Sequence, residues 1–165
     1  MRARALLLLV CALLAGLVGA RASGESPLGP PLGPPPPRES PAGASGLAQA
    51  MQRSVDAAVA AAAADGVALE VTSGRRTAAE QQALYDEAVR THGSAREARR
   101  WVLPPGESAH VRGEAVDVGP SAGAAWLARH GERFGLCQRY DIEPWHFERL
   151  AGAIGSRCPE REPHP

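Results

Sequence analysis

The stretch Ser108-Ala109-His110-Val111-Arg112-Gly113-Glu114-Ala115-Val116-Asp117 carries an imidazole and, seven residues later, a carboxylate, with Gly113 between them to allow a tight reversal. Further along, Glu143-Pro144-Trp145-His146 offers a second imidazole three residues after another carboxylate, and Pro144 stiffens the chain so that both are presented with little freedom. His110, Asp117 and His146 thus make a three-ligand set. Two imidazoles and a carboxylate suit Zn2+ with a fourth position open to water, and a nearby carboxylate that is not a ligand, Glu143, is the base a metal hydrolase needs. The same residues admit a plainer reading. In it, His110 and Asp117 form a satisfied polar pair, Glu143 is a surface acid, Trp145 packs, and Arg75 and Arg76 are solvated turn residues.

Short, mixed elements must position these groups. From about residue 46 to 64 an Ala-rich stretch, with Leu47, Met51, Val55 and Val59 four apart, predicts a helix with one apolar stripe, ended by Asp65-Gly66. Residues 67–72 alternate as a strand, and 73–77 form a turn. Thr77-Ala78-Ala79-Glu80 is a capping box that opens a second helix to about Arg90. A third, weakly signalled helix covers 94–101, and Pro104-Pro105-Gly106 sets a loop that delivers His110. Residues 115–118 read as a short buried strand, 121–130 as a helix, and 136–142 as a strand ahead of Glu143. That order predicts a mixed α+β fold.

A chain of 165 residues, 44% hydrophobic and 22% charged, allows one ordinary domain and argues against wholesale disorder. Its 18 basic residues are all Arg, interspersed among 18 acids for a net charge of zero, which argues against a nucleic-acid partner. A basic start, Met1-Arg2-Ala3-Arg4, precedes an uncharged apolar run too short to span a bilayer, so residues 1–22 read as a signal peptide cleaved after Ala22, with Ala20 as the second choice. Cys11 lies inside the apolar run and not behind the small residues that a lipid-attachment site needs. Removal of that segment leaves 15 Arg against 18 acids, a net of −3. Eight of the 15 prolines fall between Pro27 and Pro41, so residues 23–44 read as an extended Pro/Gly-rich linker. The folded domain is then 45–160, with 161–165 a tail. In an exported chain the remaining pair, Cys137 and Cys158, reads as one disulfide closing a loop of about twenty residues, worth about 3 kcal/mol by loop entropy; two free buried thiols are the alternative. His92, His130 and His164 read as surface residues.

The pattern Ser-x-His-x-x-Gly-x-Ala-x-Asp, met by Ser108, His110, Gly113, Ala115 and Asp117, together with Glu-Pro-Trp-His at 143–146, resembles the VanY-type D-alanyl-D-alanine carboxypeptidase family of zinc peptidases over about residues 67–148. A third piece agrees, because the family's Ser-Gly-Tyr-Arg-Ser turn and following Gln are approximated by Ser73-Gly74-Arg75-Arg76-Thr77 and Gln81. The resemblance implies a compact α+β domain with a small central antiparallel sheet flanked by helices. It implies His110, Asp117 and His146 as zinc ligands and Glu143 as the base that later protonates the leaving amine. Arg76 would meet negative charge, on either the oxyanion or the substrate's terminal carboxylate, and Ser108 and Gln81 would line the substrate pocket.

What the resemblance leads us to expect is a secreted, extracellular or wall-associated monomer that hydrolyses the terminal D-Ala-D-Ala bond of peptidoglycan stem peptides, with no nucleic-acid partner and no membrane span once the signal is removed. An L,D-carboxypeptidase or L-Ala-D-Glu endopeptidase shares the ligand set, and a non-catalytic wall-binding module is the alternative from another class. Two positions depart from the family pattern: Arg75 replaces an aromatic in the turn, and Ile142 stands where an Asn commonly precedes Glu-Pro-Trp-His.

Overall fold

Alanine, the strongest helix former, fills the run that becomes α1 (Gln49–Ala64). The computed structural model describes residues 46–150, 152 and 154–165, so the expected signal peptide and linker lie outside the described residues. The buried face of α1 carries Met51, Val55, Ala58 and Ala62, whereas Val59 is only half-buried. A strict four-residue spacing drifts by about 40° per step on a helix of 3.6 residues per turn, so the stripe returns to the core by a step of three, at Ala58.

The strand expected at 67–72 starts later, as β1 (Glu70–Ser73). The delay has a local cause: with Gly66 at φ 73°, the Val67 amide turns back to the Ala62 carbonyl at 2.9 Å and spends those residues closing the helix end. Helix α2 (Ala78–His92) begins at the expected capping box, in which Thr77 Oγ1 accepts from the Glu80 amide at 3.2 Å and Glu80 accepts from the Thr77 amide at 2.7 Å. The third helix shrinks to one turn, α3 (Ala95–Ala98), capped by Ser94. His110 lies not in a loop but on another single turn, α4 (Ala109–Arg112). After it come β2 (Ala115–Gly119), α5 (Ser121–His130), a short 3-10 turn, β3 (Leu136–Gln138) and β4 (His146–Arg149).

The four strands form one antiparallel sheet in the order β1-β2-β4-β3, with helices packed around it. The strand expected over 136–142 stops at Gln138, because the backbone beyond it pairs with the C-terminal segment instead: the Glu162 amide bonds to the Arg139 carbonyl and the Asp141 amide to the Glu162 carbonyl, both at 2.9 Å. Strand β4, like the single turn α4, is an element the sequence reading lacked.

One face of the sheet holds Val116, Val118 and Phe147 against α1 and against Leu127 and Trp126 of α5, forming the apolar core. On β2 the side chains alternate, so Asp117 points to the opposite face from Val116 and Val118. His92, His130 and His164, expected at the surface, are half-buried: His92 stacks on Trp101 at 5.0 Å, and His130 lies against Trp126 at 4.6 Å. Cys137 and Cys158 are joined in a disulfide with a Cα–Cα distance of 5.6 Å. Among the described residues, no helix is long and apolar enough to cross a membrane.

Candidate metal centre

Register places the first two polar groups. Asp117 pairs with Ser73 of β1 on one side and with His146 of β4 on the other, so three polar residues from three strands stand in one row. His110 reaches the row from α4, whose turn ends at Gly113 in the left-handed region with φ 72°. A Cβ on Gly113 would lie 2.9 Å from the Ala48 amide nitrogen, so this reversal demands glycine both for its dihedral and for the close passage of the chain entering α1.

His110 Nε2, His146 Nδ1 and Asp117 Oδ1 form a nearly equilateral triangle with edges of 3.2, 3.2 and 3.3 Å. All three residues are buried. A tetrahedral ion with bonds of about 2.0–2.1 Å separates its ligands by about 3.3–3.4 Å, so this triangle matches one face of a zinc tetrahedron and leaves the fourth vertex open.

Partners behind the cluster fix which atoms face inward. His110 Nδ1 lies 2.7 Å from the Gly74 carbonyl, which can only accept, so that nitrogen carries the proton and Nε2 presents its lone pair. His146 Nε2 lies 3.2 Å from Glu148 Oε1, which leaves the Nδ1 lone pair facing the cluster. Asp117 Oδ2 accepts from Arg76 Nη2 at 2.8 Å, leaving Oδ1 to the triangle. Three buried lone pairs converging at this distance repel unless a cation or a proton sits among them. The donor set therefore fits a metal ion.

The charges agree with that account. Burial alone would raise the Asp117 carboxyl, but the charge and hydrogen bond of His110, with those of His146, hold it well below the usual carboxylate range. Burial works against the charged form of His146, yet hydrogen bonds to Asp117 and Glu148 push it up to about 9. Glu143 closes a turn in which the His146 amide bonds to its carbonyl at 3.1 Å across Pro144, and its Oε2 lies 3.9 Å from His146 Nδ1. Burial pushes its carboxyl up to about 7, aided by the charge of Asp117 and opposed by those of His146 and Arg76.

Arg76 is buried and not solvated, and it donates to Asp117, to Ser73 Oγ at 3.1 Å and to Gln81 Oε1 at 3.3 Å. Gln81 in turn donates to the Leu103 carbonyl at 2.8 Å, so both ends of its amide rest on protein atoms behind Arg76. Ser108, also buried, heads α4 but makes no capping bond with its side chain. Arg75 is exposed and extends along Gly46. Sequence reasoning missed Glu148 and the Gly74 carbonyl. Glu148 was readable only once His146 is seen to open a strand, because residues two apart on a strand share a face.

The family model described as VanY, D-alanyl-D-alanine carboxypeptidase, matches residues 44–151. A D-alanyl-D-alanine carboxypeptidase of Enterococcus faecalis is 38% identical over 109 aligned residues that take in 51% of this chain and 41% of the relative. Among solved structures, VanYB in complex with D-alanine-D-alanine is 31% identical with a TM-score of 0.59, covering 66% of this chain and 73% of that one. The vancomycin-resistance D,D-pentapeptidase VanY of a VanB-type cassette, solved with Zn(II), is 29% identical with a TM-score of 0.59, covering 66% of this chain and 74% of the other. The chain spans about two fifths of the length of the curated relatives it matches, 41% and 38%.

Proposed function

Because the chain belongs to the VanY D-alanyl-D-alanine carboxypeptidase family, we propose that it is a zinc-dependent carboxypeptidase that hydrolyses the terminal D-Ala-D-Ala bond of peptidoglycan stem peptides. The observation that carries this reading is the triangle of His110, Asp117 and His146 donor atoms with the Glu143 carboxylate 3.9 Å from one corner. His110 Nε2, Asp117 Oδ1 and His146 Nδ1 would hold the zinc. When bound, zinc supplies Lewis acidity toward the scissile carbonyl and toward water at neutral pH.

The chain's own groups do the rest. Glu143 takes the proton of the attacking water and delivers it to the leaving amine, work that suits a carboxyl raised by burial toward neutrality. Arg76 fixes Asp117 and contributes a positive field that favours negative charge developing on the attacked carbonyl. Ser108, whose side chain caps nothing, is assigned to the substrate, and Gln81 supports it from behind by holding Arg76. In the same reading residues 1–22 export the chain, 23–44 form a spacer, and the domain 45–160 works outside the cell or in the wall.

The test is release of free D-Ala from a synthetic stem pentapeptide by the purified chain, with zinc and after chelation, beside a tetrapeptide and an L-Ala-D-Glu substrate. Zinc-dependent release from the pentapeptide alone is the expected result. Cleavage of only another substrate would reassign specificity, and a zinc-loaded protein that cleaves none of them would overturn the enzymatic reading.

A further inference from the structure

Two residues past His146 on β4, Glu148 places Oε1 3.2 Å from His146 Nε2, the ring nitrogen that faces away from the metal triangle. Glu148 is itself held. Tyr140 directs its hydroxyl toward Oε1 at 3.4 Å, and Arg139 Nε lies 3.7 Å from Oε2. Burial raises the Tyr140 hydroxyl's pKa, as does the Glu148 charge, so the phenol stays protonated and remains a donor. Arg139 also pairs with Glu162, and the backbone of Glu162 bonds to Arg139 and Asp141 in a parallel bridge. Cys158, disulfide-linked to Cys137 of β3, and the Arg161–Asp141 pair at 2.7 Å anchor this C-terminal segment on either side of Pro159 and Glu160. The segment lies beyond residue 151, where the match to the family model ends.

We propose that Glu148 is a positioning residue for the metal centre, fixing the ring and tautomer of His146, and that the C-terminal segment of this chain braces Glu148 through Glu162 and Arg139. A ligating imidazole needs its second N–H held so that the other nitrogen keeps its lone pair aimed at the ion, and loss of such a partner typically lowers metal affinity about 10–100-fold. Without Glu148, the His146 ring is free to rotate and to protonate Nδ1. Without Glu162, Arg139 loses the partner that keeps it beside Glu148. This inference rests on the reading that the cluster binds zinc.

Zinc affinity of the full chain, measured by competition with a chromophoric chelator, tests it for the wild type, Glu148→Ala, Glu148→Gln and Glu162→Ala. The wild type should bind one zinc tightly. Glu148→Ala should bind it about 10–100-fold more weakly, and Glu148→Gln, whose amide oxygen still accepts from Nε2, should recover most of that loss. Glu162→Ala removes a largely exposed side chain, so its folding is not at stake, and it should weaken zinc several-fold in the same direction. No tight zinc in the wild type would overturn the proposed function together with this inference. A wild type that binds zinc, with Glu162→Ala and Glu148→Ala binding it equally well, would overturn the inference alone. Equal losses in Glu148→Ala and Glu148→Gln would also overturn it, because the effect would then lie in the packing of β4 and not in the hydrogen bond to His146.

Discussion

Arg76 Nη2 stands 2.8 Å from Asp117 Oδ2, the one oxygen of that carboxylate that neither imidazole shares. The two residues are 41 apart in sequence, and their side chains are about 10% and 4% exposed. The pair therefore ties the turn after β1 to the centre of the sheet inside a region that water barely reaches.

Removing one partner of such a pair strands a buried charge. Arg76→Ala should destabilise the metal-free protein by about 3 kcal/mol, the lower end of what breaking a buried ion pair costs. It should weaken zinc binding as well, since Asp117 loses the group that orients it. Urea unfolding of the metal-free protein measures the first effect and chelator competition the second. An unchanged unfolding midpoint, with only kcat/KM reduced, would mean that Arg76 acts on the substrate and not through Asp117.

Metal and base should separate by mutation. His110→Ala removes one corner of the triangle and should lose stoichiometric zinc. Glu143→Gln leaves all three corners and should keep zinc while losing roughly 10²–10⁴-fold in turnover, the range a positioned acid-base group contributes. Metal content of the purified variants by elemental analysis, set beside D-Ala release, distinguishes the two. A fully active Glu143→Gln would remove Glu143 from the proton path.

How much of this was readable from sequence depended on how local each cause was. Helix α5 occupies the expected residues 121–130, and the box at Thr77 and Glu80 opens α2, because both signals lie within a few positions. His110, Asp117 and His146 were legible from residue type and order, and the fold brings them together. The single turn α4 was not, since four residues give too little periodicity to see. Nor was β4: it is four residues long, begins at a residue already assigned to chemistry, and owes its place to pairing with β2 and β3 on either side. By residue type alone Arg76 reads as a solvated turn residue; the family resemblance brought it to the site, but its burial against Asp117 shows only in the fold.

The capping box links stability to pH. The Glu80 carboxyl is held below its ordinary value, chiefly by the hydrogen bond from the Thr77 backbone and next by that from the Thr77 hydroxyl. A carboxyl depressed in the folded state stabilises the protein above its unfolded pKa, near 4.5, and that contribution disappears as pH falls through the lower folded value. Thr77→Ala should cost about 1 kcal/mol at neutral pH through loss of the cap. The deficit relative to wild type should shrink on acidification below pH 4.5, where the wild type loses part of the same interaction. Melting curves from pH 7 down to 3 check this, and a deficit that stays constant over the range would mean that the Glu80 half of the box is not weakened in the variant.

The disulfide Cys137–Cys158 spans 21 positions and encloses the turn of Glu143, the whole of β4 and therefore His146. Without the link, the unfolded chain regains the freedom of that loop, worth about 3 kcal/mol by the chain-entropy model. In the folded state the segment beyond β4 would be held by the Cys158 amide on Glu132 at 2.8 Å, the Gly155 amide on the Glu132 carbonyl at 3.0 Å and the bridge at Glu162. Those contacts are at the surface and cannot replace a covalent closure. Cys137→Ser with Cys158→Ser should accordingly lower the urea midpoint and, because the unfolded chain is then less compact, steepen the slope, and reductant should move the wild type to the same midpoint while leaving the double variant unaffected. A wild type indifferent to reductant, under conditions in which thiol titration shows both cysteines free, would mean that the non-covalent contacts of the C-terminal segment are enough to close the loop.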